Sequence, residues 1–160
     1  MNAGAIGLCL LGLLWGGCAT NGLALRQDHR VRIVEPKDRS AASLPVEVTW
    51  TVSGFAPGPG SGSFGVFVDR APQRPGKTLT WLFRNASDCR VTACLDDKYL
   101  ARQNVFRTTG TSFEVERVAH LSRSSRRGFH EITIVLLDSD GLRVGEGAWS
   151  VQFKVRGQGG

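Results

Sequence analysis

From Val31 onward, apolar and polar residues alternate with a period of two, the pattern of strands that turn one face to a core and the other to water. The clearest run is Val46 to Ser53, and similar runs occur at Val31 to Val34, Phe64 to Asp69, Thr78 to Arg84, Phe113 to Val118, His130 to Leu137 and Ala148 to Val155. Clusters of turn-forming residues separate them: Ala56 to Gly62, Arg74-Pro75-Gly76, Thr109-Gly110-Thr111 and Asp138-Ser139-Asp140-Gly141. Seven short strands punctuated in this way predict an all-β fold, an antiparallel β-sandwich over residues 30–156. The stretch from Asn85 to Asn104 keeps no strict alternation and is expected to be an insertion holding a short helix or an extra hairpin. Trp50, Trp81 and Trp149 each fall in an apolar row, so they are expected to line one common core. His130 shares a face with Ile132, Ile134 and Leu136 and is expected at the sandwich rim, hydrogen-bonded to backbone.

The first residues follow another logic. Residues 1–25 contain no Lys, Arg, Asp or Glu, and Ile6 to Trp15 is an apolar run too short to span a bilayer but of the length of a signal-peptide core. Gly16-Gly17-Cys18 follows directly, and the whole resembles a bacterial lipoprotein signal. That resemblance implies a signal peptide at 1–17, a lipid on Cys18, a tether at 18–29, and residence on the extracytoplasmic face of the cell membrane. A plain cleaved secretory signal, giving a secreted or periplasmic protein, and an apolar first strand are the alternatives. On the lipoprotein reading Cys9 leaves with the signal and Cys18 carries the lipid, which leaves Cys89 and Cys94 as an even pair. Their spacing suits a small disulfide loop in an oxidising compartment, stapling the insertion; free thiols and a metal site are the other readings.

Gly128 to Gly141, with its Gly-x-His opening, alternating strand and Asp-x-Asp-Gly hairpin, followed by Trp149 to Val155, resembles the last two strands of bacterial immunoglobulin-like and PKD-like extracellular domains. The resemblance implies an immunoglobulin-like β-sandwich and carries no ligand with it.

Composition agrees with one folded domain: of 160 residues 41% are hydrophobic and only 21% charged, too apolar a balance for a disordered chain. The net charge of +6 is concentrated in places, notably Arg123, Arg126 and Arg127. Such a run attracts polyanions. An exported chain meets anionic lipid or envelope polymer, or another envelope protein, before nucleic acid, and no basic-aromatic stacking face argues for nucleic acid. The loop after Phe67 carries Asp69, Arg70 and Arg74 between prolines, which keep it extended, so these residues join the three arginines as the expected contact surface. Asp138 and Asp140 suggest calcium, but calcium requires six to eight oxygens, and a plain hairpin with Gly141 at positive φ is expected. No phosphate-binding loop, dinucleotide fingerprint or nucleophile elbow occurs, so no cofactor and no metal are expected. The expected function is a non-catalytic binding or envelope-associated module. The rival is a small envelope enzyme or metal-carrying protein using His130, His120 and Asp69.

Overall fold

Period-two apolar rows pair into two sheets in the computed structural model, which describes residues 30–89, 94–118 and 128–157. The described elements are β1 (Val31–Glu35), β2 (Ser40–Ala42), β3 (Val46–Val52), β4 (Ser63–Val68), α1 (Leu79–Leu82), α2 (Asp97–Arg102), β5 (Val105–Thr108), β6 (Ser112–Val115), β7 (His130–Leu137) and β8 (Arg143–Val155). One sheet has three strands in the order β1-β3-β6, the other five in the order β2-β8-β7-β4-β5. The chain is therefore mostly β, with two sheets, as the alternation predicts.

Between the sheets lies the larger core. Val46, Val48 and Trp50 of β3 meet Phe64, Val66 and Val68 of β4, Ile132, Ile134 and Leu136 of β7, and Phe153 of β8. Trp50 is 3% exposed and sets its ring edge-on to Phe64 at 5.3 Å. The alternate residues of β4 and β7 do not face water. Phe67, Val135 and Leu137 point to the other side of the five-stranded sheet, where they pack with Val105, Leu79, Phe83, Cys89, Tyr99 and Leu100 in a second core. A helical cap built from α1, α2 and, between them, Phe83, Cys89 and Cys94 thus covers the outer face of that sheet. Gly65 makes room for it, because a Cβ there would come within 2.9 Å of Phe67, 3.0 Å of Leu137 and 3.1 Å of Val135.

Four expectations need correction. Thr78 to Arg84 is not a strand: the Thr78 hydroxyl caps α1 by accepting from the Trp81 N–H at 3.2 Å, and Leu79 and Phe83, four residues apart, become one buried face. Trp81 consequently leaves the common core and lies half-buried on the cap, while Trp149 is half-buried against the inter-sheet core. The last strand begins at Arg143 rather than Ala148 and is joined by β2, which the alternation does not reveal, in a parallel pairing of Ser40 with Phe153. The fourth concerns β5, which begins directly after the stretch expected as insertion, where no strand was expected, and pairs with β4 as an edge strand. The insertion itself holds α2, capped by the Asp96 carboxylate on the Tyr99 N–H at 2.6 Å, and the Cys89–Cys94 disulfide with Cα atoms 5.6 Å apart.

The two tryptophans separate the two layers energetically. Trp50→Ala is expected to lower unfolding free energy by about 3–5 kcal/mol, the usual cost of emptying a buried aromatic site. Trp81→Ala, at a half-buried surface site, should cost about 1 kcal/mol. Urea unfolding followed by circular dichroism measures both, and equal losses would contradict the assignment.

Candidate functional site

After Val68 the backbone of Asp69 adopts a φ of 52°, which folds the chain back over the start of β7. The Asp69 N–H donates to the Glu131 carbonyl at 2.8 Å, its Oδ1 accepts from the Glu131 N–H at 2.8 Å, and its Oδ2 lies 2.7 Å from His130 Nδ1. His130 therefore meets a carboxylate, because the left-handed turn carries Asp69 back to it. The imidazole is 1% exposed and packs against Phe153 with ring centres 5.5 Å apart. Of the rival's three residues, Asp69 and His130 come together, and His120 lies outside the described residues. Among the described residues no three or more His, Cys, Asp or Glu side chains gather as a metal site would require.

Beyond Asp69 the loop is held at successive points. Arg70 stretches over the Phe83 ring, 4.7 Å from its centre, and donates to the Gln103 side chain at 3.2 Å, so it straps the loop to the cap. Burial pulls its guanidinium pKa below the usual range, with Tyr99 acting weakly the other way. Gln73 is 0% exposed and donates to the Gly141 carbonyl at 3.4 Å. Arg143, 7% exposed, donates to the carbonyls of Gln73 at 2.7 Å, Glu146 at 3.2 Å and Gly147 at 3.0 Å. Two backbone bonds finish the attachment, from Gly76 to the Arg143 carbonyl at 3.1 Å and from Arg143 to the Lys77 carbonyl at 3.0 Å. The neighbouring Asp138-Ser139-Asp140-Gly141 forms a hairpin turn with Gly141 at a φ of 73°, as expected, and Asp138 Oδ1 accepts from the Asp140 and Leu142 N–H groups.

What this fixed loop carries outward is charge. Arg74, Lys77 and Arg84 are exposed and surround the half-buried Trp81. Their cationic groups lie 5.9, 6.0 and 3.9 Å from the ring centre, and Arg84 also donates to the Trp81 carbonyl at 2.9 Å. A close contact of this kind stabilises by about 0.5–1 kcal/mol at an exposed site, and Arg84 is the one that lies close to the ring, the other two sitting at the limit of the interaction. None of the three forms an ion pair with a carboxylate among the described residues. Elsewhere on the cap Arg102 lies over the Tyr99 ring at 5.4 Å. Burial, and then the hydrogen bond from the Tyr99 hydroxyl to Asp88 at 3.1 Å, push the phenol pKa up.

Of the residues expected at a contact surface, Asp69 and Arg70 are turned to internal partners and Arg74 faces outward. Arg123, Arg126 and Arg127 lie outside the described residues, as does Cys18. Lys77, Trp81 and Arg84 were not anticipated. Their signal is a stretch, 70–87, with four cations and no carboxylate, which becomes one surface only when Thr78 starts a helix. Comparison of the chain with protein-family models, curated proteins and solved structures returns no match. Among the described residues no helix is long and apolar enough to cross a membrane.

Arg143→Met keeps the bulk of the side chain and removes its bonds to the Gln73 carbonyl of the loop and to the Glu146 and Gly147 carbonyls of β8. The variant is expected to lose about 3 kcal/mol of stability, since buried carbonyls left unpaired cost roughly 1–3 kcal/mol each and part of them will find water. It should also be cut faster by trypsin after Lys77, where the wild-type loop is held. Unchanged cleavage would show that Arg143 does not fix the loop.

Proposed function

We propose that the protein is an extracytoplasmic, lipid-anchored, non-catalytic binding module with an immunoglobulin-like sandwich as its scaffold. The observation that carries this reading is the 69–77 loop, fixed to the sheet by Arg143, Gln73 and Asp69 and yet presenting Arg74 and Lys77 to solvent. A loop ordered before it meets a partner loses little entropy on binding, which is the property a recognition surface requires. The Cys89–Cys94 disulfide supports an oxidising compartment. The uncompensated cations favour an anionic partner: the membrane itself, an envelope polymer or an acidic envelope protein. The Arg123 to Arg127 run adds charge of the same sign.

A second reading, a small envelope enzyme or metal-carrying protein, has the Asp69–His130 pair in its favour. Burial of the imidazole weighs against it, because a general base has to reach the proton it removes. Zinc binding by the purified domain that is lost in His130→Gln would favour this second reading.

The anchor is tested by Cys18→Ala. The variant is expected to move from the membrane to the soluble fraction while keeping the sandwich folded, and mass spectrometry of the wild-type mature N-terminus should find Cys18 first and acylated. A mature N-terminus without lipid would refute the anchored reading.

A further inference from the structure

We infer that the Trp81 cluster, with Arg74, Lys77 and Arg84, is a docking surface for an anionic lipid bilayer. The inference rests on the lipid-anchored reading above and deepens it by naming the surface that faces the headgroups.

Chemistry is the first argument. Guanidinium groups match phosphate oxygens in two parallel hydrogen bonds, and ammonium groups add point charge. Indole rings favour the boundary between water and hydrocarbon, where an apolar body and a polar N–H are both accommodated. The cluster unites these groups within 6.0 Å of one ring. The nearest acidic features of that end do not cancel it. Asp138 is occupied by the N–H groups of its own turn, Asp97 by Arg107 at 2.6 Å and Asp88 by the Tyr99 hydroxyl, and the exposed Asp140 and Glu146 form no ion pair with Arg74, Lys77 or Arg84 among the described residues.

The second argument is where the chain enters the domain. The Arg30 carbonyl accepts from the Ser53 N–H at 2.8 Å, and Val31 pairs with Val52, so residue 30 sits at the end of the sandwich where β3 finishes. Phe55, just beyond, packs on Phe64 with ring centres 5.7 Å apart, and Ser63 pairs with Leu137. The same end carries the Asp138–Gly141 turn, to which α1 is tied by the Leu79 N–H on the Gly141 carbonyl at 3.1 Å. Lys77 and the start of α1 therefore lie at the same end of the domain as Arg30, where residues 18–29 join it. A chain running from Cys18 to Arg30 reaches at most about 40 Å, so a lipid on Cys18 keeps a bilayer within reach of that end. Tethering raises the local concentration of headgroups, and a surface of modest affinity becomes occupied.

The test uses the mature chain from residue 18 carrying Cys18→Ala, which has no lipid, with vesicles of phosphatidylglycerol mixed with phosphatidylcholine and with vesicles of phosphatidylcholine alone. The wild-type surface is expected to bring the protein down with the anionic vesicles at low salt and to release it as salt shortens the screening length from about 30 Å at 0.01 M toward 3 Å at 1 M. Each cation lost should weaken binding about fivefold, so the combined variant Arg74→Ser, Lys77→Ser, Arg84→Ser should lose on the order of 100-fold. Trp81→Phe should abolish the change in tryptophan emission that anionic vesicles produce. If the combined variant does not fold by circular dichroism, Lys77→Ser alone, at an exposed position, gives the fivefold readout. No binding to anionic vesicles, equal binding by the variants, or binding to soluble anionic wall polymer in place of vesicles would each overturn the inference. Because this assay needs no lipid on the protein, its failure is distinct from failure of the anchor, which the mature N-terminus decides.

Discussion

Burial of β4 and β7 on both faces is the constraint on which the remaining structure depends. Six consecutive positions of β7, Ile132 to Leu137, are buried, and β4 is buried from Phe64 to Val68. A strand pair of this kind cannot leave either side to water, since each large apolar side chain left exposed forgoes about 1.5–3 kcal/mol. The three-stranded sheet covers one side. The other is covered by α1, α2 and, between them, Phe83, Cys89 and Cys94, with Gly65 leaving space for Phe67 and Leu137 to meet.

That requirement also explains the 69–77 loop. The chain leaves β4 at the His130 end of the sheet and has to reach Leu79, which is tied to Gly141 at the opposite end. It crosses outside any strand, and the Arg143 side chain holds it: one buried guanidinium bonds to the Gln73 carbonyl of the loop and to the Glu146 and Gly147 carbonyls at the irregular start of β8. A charge-assisted bond in a low-dielectric interior is stronger than a neutral one, and five donors in a fixed fork serve several carbonyls at once. The polar edge of this crossing is where Arg74 and Lys77 meet Trp81. The cationic surface is a consequence of how the second core is closed.

Much of this was legible residue by residue. β3 is half-buried, so its alternation of Val46, Val48 and Trp50 with Glu47, Thr49 and Thr51 reads directly as one face in and one face out. The disulfide followed from counting cysteines, an argument that needs no geometry. Thr78 to Arg84 misleads because Leu79, Trp81 and Phe83 alternate as in a strand, whereas the Thr78 cap and the four-residue spacing of Leu79 and Phe83 favour a turn of helix. β2 and β5 carry three and four residues, too few for a periodic signal, and exist because neighbouring strands offer them an edge. The Asp69–His130 pair is separated by 61 residues, and nothing local to either position announces the other. Arg143 sits between Leu142 and Val144 as an ordinary strand residue would, and only the path of the loop reveals its role.

Tyr99 reports on the central claim, that the cap is a packed second core. It is the chain's single tyrosine, it is buried beside Phe83 with ring centres 5.5 Å apart, and its hydroxyl donates to Asp88. Burial first, then Asp88, hold its pKa above the ordinary value near 10. The folded state thus keeps the phenol proton more tightly than the unfolded chain does. The resulting stabilisation is fully present below about pH 10 and is lost as pH rises through the raised folded value. Absorbance of the phenolate followed through an alkaline titration of the native protein measures it directly. Ionisation clearly above pH 10, accompanied by loss of stability over the same range, is the predicted result; ionisation at the value of a free tyrosine would contradict a packed cap.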